Sequence, residues 1–212
     1  MVLDSGVNQR AFAPPSTRSD SFREYLLSGG RSSVAVYTGG LQRERGIQSI
    51  LEAAERMPAT QFGLAGGTRA DIDSWVNLAN ARHINNITFF GYLPQDEAIA
   101  LQRAADVLLM TRAPGHRASI SSPLKFFEYL ASGVPVVAAE TPVLERFKQS
   151  ELGVVWYKPD EYGDFLNALS SALDRNAEIR AKSQHNISLA TNYSWEVRQK
   201  SIFKAFELDQ FF

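Results

Sequence analysis

Residues 121–137 have the sequence SSPLKFFEYLASGVPVV, which predicts a helix followed directly by a buried strand. Ser121 or Ser122 can cap the first free backbone N–H groups of that helix. Pro123 suits the first helical position, because its φ is fixed near the helical value and no N–H is needed there. We therefore predict a helix over residues 123–132 and a strand over residues 134–138.

The start of this helix also has the features of an anion site. Free N–H groups and the positive end of the helix dipole favour a phosphate, and Lys125 adds a positive charge one turn in. Glu128 lies about one turn further along the same face, where its carboxylate can accept hydrogen bonds from vicinal hydroxyls such as those of a ribose. A phosphate and a ribose together indicate a nucleotide.

Outward from this segment, short apolar runs alternate with helical segments, which is the pattern of a parallel sheet covered by helices on both faces. The predicted strands cover residues 34–38, 61–65, 87–90, 107–110, 134–138 and 153–156. The predicted helices between them cover residues 45–57, 70–81, 95–104, 123–132 and 143–149, and three more follow over 162–174, 177–190 and 195–208. The predicted fold class is α/β, a doubly wound Rossmann-like parallel sheet of about six strands with a helical C-terminal extension.

The chain divides into an N-terminal connector and one domain. Residues 1–30 contain one short helical segment, over 21–27, and we predict that they form a linker and a docking helix. Residues 31–212 are predicted to form one Rossmann-like domain that includes the C-terminal helices. At its end, four apolar side chains are predicted to pack on a further domain or to drive dimer formation: Phe206, Leu208, Phe211 and Phe212.

Composition excludes several classes of function. Twenty-two basic and 23 acidic residues give a net charge of -1, which argues against nucleic acid as a partner. The sequence has no cysteine, which excludes disulfides, thiol catalysis and cysteine-ligated zinc. No apolar run reaches the roughly 20 residues that span a bilayer, and residues 1–10 do not resemble a signal peptide. A cytoplasmic location is the expectation.

Two glycines, Gly39 and Gly40, follow the first predicted strand, and Arg43 and Arg45 come shortly after them. Ligands bind at the carboxyl ends of the strands in open α/β sheets, and guanidinium groups can hold phosphate oxygens in a bidentate way. A solvated basic loop, with glycines that serve only the turn, is an equally open interpretation. The glycine spacing matches neither a dinucleotide fingerprint nor a P-loop.

Two more loops end predicted strands at the same edge of the sheet. Gly66 and Gly67 follow the second strand, and a tight turn is their simpler interpretation. The loop that contains Tyr92 and Leu93 follows the third strand and offers backbone groups and an aromatic ring to a flat base. An aromatic loop residue more often serves packing, so both roles stay open for Tyr92.

Other polar residues point away from metal chemistry. Asp71 and Asp73 resemble a metal-binding Asp-x-Asp pair, but they fall at a predicted helix start, where acidic residues act as caps. His83, His116 and His185 are far apart and are interpreted as solvated, so no metal site is predicted. His116 and Arg117 follow the fourth strand and form a possible substrate loop, which remains a hypothesis beside the solvated alternative.

The ordered set of these segments resembles a known family. The glycine turns at residues 39–40 and 66–67, ITFFG at 87–91, ADV at 105–107, SPLKFFEYLASGVPVV at 122–137 and YSWE at 193–196 are similar to the nucleotide-sugar-binding C-terminal domain of GT-B glycosyltransferases. The group-1 transferases of family 4 are the nearest match. The similarity runs from about residue 4 to residue 206, and the segment around Glu128 is its most specific part.

The resemblance implies roles for individual residues. Glu128 matches the glutamate that holds the ribose hydroxyls of the donor, and Arg45 matches the basic residue that binds the donor diphosphate. The loop at Tyr92 and Leu93 falls where backbone groups hold the nucleobase. Backbone N–H groups at the helix start are implied to meet the sugar and the phosphate, which involves Ser121, Ser122, Leu124 and Lys125.

Two positions depart from the family pattern. Ile120 replaces the glutamate that addresses the donor hexose, and Gly40 replaces the first diphosphate arginine, for which Arg43 is a candidate substitute. The Ser-Pro-x-Lys form of the helix start resembles a subgroup in which Lys125 is an additional phosphate ligand. The donor sugar is therefore left open.

The resemblance implies the donor-binding half of a retaining, metal-independent glycosyltransferase. Its donor is a nucleoside-diphosphate sugar of UDP or GDP type, it uses no cofactor, and it acts in polysaccharide or glycoconjugate synthesis. An N-terminal acceptor-binding domain is implied as partner, so the chain is expected to be a piece of a longer protein or a separate subunit, with peripheral membrane association possible through the missing half. The alternative is a non-catalytic module with a degenerate donor site. A dinucleotide-dependent oxidoreductase is a third hypothesis, disfavoured because the sequence lacks Gly-x-Gly-x-x-Gly.

Overall fold

The computed structural model describes residues 6–8, 16–115, 123–148, 151–161 and 163–205. Within these ranges six parallel strands form one sheet in the order β3-β2-β1-β4-β5-β6. The strands are β1 (Ser33–Thr38), β2 (Thr60–Ala65), β3 (Ile87–Gly91), β4 (Val107–Met110), β5 (Val136–Ala139) and β6 (Val154–Tyr157). The helices are α1 (Thr17–Leu27), α2 (Ile47–Arg56), α3 (Arg69–Ala81), α4 (Gln95–Arg103), α5 (Leu124–Ser132), α6 (Asp164–Asp174), α7 (Asn176–Arg180), α8 (Ser183–Thr191) and α9 (Trp195–Ala205). The prediction of a doubly wound Rossmann-like sheet is confirmed.

The strand order reverses between β1 and β4. The chain moves outward from β1 through β2 to β3 and then returns to place β4 on the other side of β1, where Val36 pairs with Leu108. The loops that leave these two strands diverge to opposite faces of the sheet and leave a crevice at its carboxyl edge, which is where open α/β sheets bind ligands. The loop before α2 and the start of α5 both lie at this crevice.

Apolar side chains cover both faces of the sheet. One core contains Ile50 of α2, Trp75 of α3 and Leu169 of α6, and the other contains Leu101 of α4 and Phe126 of α5. Short central strands that are buried on both faces consist almost wholly of apolar residues, as in VLLM of β4 and VVAA of β5. This two-sided core holds the carboxyl ends of the strands in a fixed arrangement.

The strands lie where the sequence predicts them, with small shifts that have local causes. β5 begins at Val136 instead of residue 134, because Pro135 has no N–H for the ladder, although its carbonyl accepts a 2.8 Å hydrogen bond from the Leu108 N–H. The predicted helix over 143–149 is a 3-10 turn at Glu145–Phe147 in its described part.

The predicted helix over 177–190 is two helices, α7 and α8, and is the clearest correction. The break lets both helices approach Gly153, whose N–H donates to Asn186 Oδ1 at 2.7 Å. A Cβ on Gly153 would lie only 2.8 Å from the carbonyl oxygen of Ile179, so the approach requires glycine. The buried amide of Asn186 thereby joins the C-terminal helices to the start of β6.

The N-terminal segment packs on the rest of the chain. α1 is longer than the predicted 21–27, its Leu26 is buried in the second core, and Arg23 forms a 3.0 Å ion pair with Asp106. The N–H of Val7 donates to the Tyr193 carbonyl at 2.7 Å, which joins the start of the described chain to the C-terminal helices. The division at residue 30 stays a prediction. The four apolar residues of the tail (206, 208, 211 and 212) lie outside the described residues.

Among the described helices, none combines the length and the apolar character that a bilayer crossing requires.

Candidate functional site

A cavity of about 200 Å³ opens at the carboxyl end of β1. Its wall is formed by the end of β1, one side of α4 and the first turns of α5. The lining residues are Thr38, Gly39, Gln95, Ala98, Ile99, Gln102, Lys125 and Glu128. Three predicted site residues, Gly39, Lys125 and Glu128, therefore share one cavity at the reversal of the strand order.

Gly39 allows the backbone of the first turn to approach its neighbours closely. Its φ is +143°, and a Cβ at this position would collide with Lys125 Nζ. Its N–H donates to the Ala65 carbonyl at 2.8 Å, and its own carbonyl lies where a Cβ on Gly66 would have to be. Glycine is thus favoured at residue 39 by its φ and by Lys125, and at residue 66 by the backbone of the first turn, which supports the tight-turn interpretation for Gly66.

The loop after Gly40 is held from the other face of the sheet. Leu41 is buried, and its carbonyl accepts a 2.7 Å hydrogen bond from the indole N–H of Trp75. A Cβ on Gly67 would lie 2.7 Å from the Leu41 side chain, so the second turn packs directly on the first loop. These contacts fix the backbone on which the cavity is built.

Lys125 points toward the first glycine turn. Its Nζ lies 4.2 Å from the centroid of the Tyr37 ring, which is a cation–π distance. Burial and, to a smaller extent, the positive charge of Arg45 lower the pKa of Lys125 to about 7, against the opposing effect of Glu128. Among the described residues no acceptor takes a hydrogen bond from this ammonium, so its N–H donors are available to a ligand.

Glu128 lies on the same side of α5 as Lys125, as predicted, and lines the same cavity. Burial raises the pKa of the Glu128 carboxyl, and the charge of Lys125 lowers it in part. A half-buried carboxylate beside an ammonium, at the open edge of a sheet, can accept hydrogen bonds from hydroxyl groups of a ligand. The cavity therefore combines one positive and one negative group, one helical turn apart.

A set of polar contacts beneath the cavity joins β1 to its two helices. The Thr38 N–H donates to the Tyr129 hydroxyl at 2.9 Å, and Gln102 Nε2 donates to Thr38 Oγ1 at 3.0 Å. Tyr129 is fully buried, and this burial raises its pKa to about 12, so its hydroxyl stays protonated. The end of β1 is held from α4 and α5 together.

Sequence reasoning missed the other five lining residues, Thr38, Gln95, Ala98, Ile99 and Gln102, and the two buried tyrosines beside the cavity, Tyr37 and Tyr129. Gln95, Ala98, Ile99 and Gln102 are spaced as one helical face, and Gln102 is buried where an apolar residue is expected. Gln102, a polar residue at a core position of an amphipathic helix, was the sequence signal that could have indicated this face of α4.

The basic loop is exposed but firmly anchored. Arg43 and Arg45 lie in a 3-10 turn, and both are exposed. The turn ends at Gly46, where φ is +76° and a Cβ would lie 2.7 Å from the backbone of Arg112. Thr111 Oγ1 donates to the Arg45 carbonyl at 2.7 Å. Neither arginine lines the cavity, nor does Gly40, but the charge of Arg45 acts on Lys125.

The remaining predicted site residues fall outside the cavity wall. Tyr92 is 83% exposed, and Leu93 packs against the second core. Leu124 is half-buried and is the first residue of α5, because Pro123 is the N-cap with ψ at 48° and not the first helical residue. Four predicted residues lie outside the described residues: His116, Arg117, Ser121 and Ser122.

The interpretation of the acidic pair at the start of α3 is supported for Asp71. Its carboxylate accepts from the N–H of Thr68, whose own hydroxyl oxygen accepts from the Asp71 N–H at 3.2 Å. Asp73 pairs with Arg69 at 3.0 Å. His83 and His185 are exposed, and His116 lies outside the described residues.

A doubly wound sheet with a charged cavity at its strand-order reversal defines an α/β domain of the type found in GT-B glycosyltransferases. The chain belongs to the group 1 glycosyl transferases, whose family model matches residues 32–175. The matched range begins just before β1 and ends at the close of α6, and it contains the whole cavity. The resemblance seen in the sequence is therefore confirmed.

Known proteins match over nearly the full chain. A D-inositol 3-phosphate glycosyltransferase of Mycolicibacterium smegmatis is 27% identical over 92% of this chain and 44% of its own length. A putative teichuronic acid biosynthesis glycosyltransferase, TuaH of Bacillus subtilis, is 23% identical over 96% of this chain and 49% of its own length. The structure of Anabaena HepE in complex with UDP and glucose has a TM-score of 0.79 at 15% identity, over 98% of this chain and 56% of that chain. This chain thus spans less than half the length of the two relatives.

Proposed function

We propose that this chain is the donor-binding half of a retaining, metal-independent glycosyltransferase in polysaccharide or glycoconjugate synthesis. Its donor is a nucleoside-diphosphate sugar of UDP or GDP type, and it uses no cofactor. The observation that carries the proposal is the pairing of Lys125 and Glu128 on one wall of the cavity at the end of β1. That pair matches a ligand with a phosphate and a hydroxyl-bearing sugar a few ångströms apart.

The positive groups suit a diphosphate. The Lys125 ammonium has donors that no described residue accepts, the exposed Arg45 guanidinium lies near enough for its charge to act on Lys125, and the first N–H groups of α5 add the positive end of a helix. These groups would stabilise the negative charge that develops on a leaving diphosphate, which is commonly among the largest contributions to catalysis.

Glu128 would hold the ribose of the donor. Its carboxylate is available on the cavity wall, and a ribose offers two adjacent hydroxyl donors that one carboxylate can accept. The loop at Tyr92 and Leu93 follows β3 at the same edge of the sheet and would hold the base. The UDP in the complex of Anabaena HepE, which shares this fold, supports a nucleoside diphosphate as the ligand class.

The acceptor side belongs to a second domain. Since the two relatives are more than twice as long as the part matched here, we propose an N-terminal domain that binds the acceptor and closes the cleft. Any peripheral attachment to a membrane would lie in that half, and the donor site would face the cytoplasm. Without the second domain we expect weak nucleotide binding and little or no transfer.

Calorimetric titration with UDP, GDP and ADP tests the proposal. We expect saturable binding of one diphosphate and its loss in Glu128→Ala. Glu24→Ala, which removes an exposed carboxylate on α1, should bind like the wild type. Failure of all three nucleotides to bind would contradict a working donor site and favour the non-catalytic module that Ile120 suggests.

A further inference from the structure

Tyr37 occupies an unusual position at the end of β1. Its side chain is 1% exposed, yet its hydroxyl donates a 2.7 Å hydrogen bond to the Gly40 carbonyl, and its ring face lies 4.2 Å from Lys125 Nζ. One buried side chain thus contacts both the glycine turn and the ammonium of the site. It does not line the cavity itself.

The Tyr37 hydroxyl holds the glycine turn through its hydrogen bond to the Gly40 carbonyl. A phenylalanine would bury the same ring, and a buried hydroxyl costs free energy unless it forms a hydrogen bond. Its hydrogen bond in the described chain is to the Gly40 carbonyl. Burial raises the pKa of Tyr37, so the hydroxyl remains a donor throughout the neutral range. The contact therefore sets the direction of the Gly39-Gly40 backbone.

The Tyr37 ring is an attractive contact for the Lys125 ammonium, which donates no hydrogen bond to a described residue. Two charges act on that ammonium, Arg45 from the loop before α2, which repels it, and Glu128 from α5, which attracts it. The cavity residues of α4, Gln95 and Gln102 among them, carry no charge. The negative face of the Tyr37 ring is thus an attractive contact for the ammonium from β1.

We infer that Tyr37 is a positioning residue, which holds the Gly39-Gly40 turn through its hydroxyl and the Lys125 ammonium through its ring. The ligand on which both would act, a nucleoside diphosphate, rests on the proposed function. The two contacts can be removed separately. Tyr37→Phe keeps the ring and loses the hydrogen bond, whereas Tyr37→Leu loses both.

The first readout is the pKa of Lys125 in the ligand-free protein, measured by NMR on ¹³C-labelled lysine and assigned by loss of the signal in Lys125→Met. Tyr37→Leu should lower this pKa by about 0.5–1 unit, and Tyr37→Phe should leave it unchanged. Tyr157→Phe is the matched control, because it removes a buried tyrosine hydroxyl that accepts from the Arg112 N–H and is not among the groups that act on Lys125. It should leave the pKa of Lys125 unchanged.

The second readout is calorimetric affinity for the diphosphate that binds the wild type. Tyr37→Phe should weaken it about 3–10-fold, as expected for one lost neutral hydrogen bond, and Tyr37→Leu should weaken it further. If Tyr37→Leu does not fold, Tyr37→Met replaces it as the variant without a ring.

The two readouts separate the inference from the proposed function. An unchanged pKa of Lys125 in the ringless variant, or full affinity in Tyr37→Phe, would overturn the positioning role. If the wild type binds no diphosphate, the proposed function fails, and the pKa comparison in the ligand-free protein still decides whether Tyr37 holds the ammonium.

Discussion

Replacing Lys125 by methionine removes the ammonium and keeps an unbranched side chain of similar length. Hydrogen bonds to charged groups contribute about 1.5–3 kcal/mol, so loss of this donor should weaken nucleoside-diphosphate binding about 10–150-fold at a pH where Lys125 is charged. The Tyr37 ring and Gly39 leave the ammonium little freedom to move, which favours the upper part of that range.

The pH dependence makes this prediction specific. Because the pKa of Lys125 is lowered to about 7, half of the free protein is neutral at that position near pH 7. A bound anion raises the pKa, so binding takes up a proton, and the advantage of wild type over Lys125→Met should fall about tenfold for each pH unit above 7 until it is lost. Lys125→Arg stays charged and should show no such decline.

Calorimetry with UDP or GDP at pH 6, 7 and 8, in buffers of different ionisation enthalpy, measures both the affinity and the proton uptake. Ionisation of the nucleotide phosphate cancels in the ratio of wild type to variant. Equal affinities for wild type and Lys125→Met, or a ratio that does not change between pH 6 and pH 8, would exclude a charged Lys125 as a phosphate ligand.

Three further predictions follow from the same contacts. Wild type should bind UDP more tightly than 2′-deoxy-UDP, whereas Glu128→Ala should bind both with similar low affinity; an undiminished preference in the variant, measured by calorimetry, would exclude the ribose contact. Gly39→Ala should abolish binding and lower the melting temperature, because φ at residue 39 is +143° and the new Cβ would meet Lys125. Gly30→Ala is the control: φ is +75° there but the space is open, so urea unfolding should show a loss of only about 1 kcal/mol from backbone strain. The free energy of unfolding of wild type, relative to that of Lys125→Met, should rise from about pH 7 to pH 10. The reason is that the pKa of Lys125 is lowered in the folded protein, so the unfolded chain binds one more proton in this pH range. A difference between the two unfolding free energies that stays constant over this range, measured by urea unfolding, would contradict the prediction.

The strands were predictable from sequence because each is a short apolar run bounded by turn residues, as in VLLM of β4. Boundaries shifted where a backbone group had a partner that is distant in sequence. Gly153, for example, donates its N–H to Asn186 of α8 and packs on Ile179 of α7, and the helix predicted over 177–190 is divided between these two helices. Such pairings carry no local signal.

The candidate site was predictable where it depends on spacing within one element. Lys125 and Glu128 are three residues apart on α5, so their common face follows from helix geometry alone. The contact of Tyr37 with Lys125 and the bond from Gln102 to Thr38 depend on the packing of β1 against α5 and α4, which the sequence does not reveal. The low pKa of Lys125 likewise arises from burial, which is a property of the folded chain.

The most direct test is a ¹⁵N–¹H NMR titration of this chain with the diphosphate that binds in calorimetry. We expect the largest amide shifts at Gly39, Gly40 and the first turn of α5, around Lys125. Shifts centred elsewhere, such as the apolar groove of Phe22, Tyr25 and Phe90 between α1 and β3, would contradict a donor site at the end of β1.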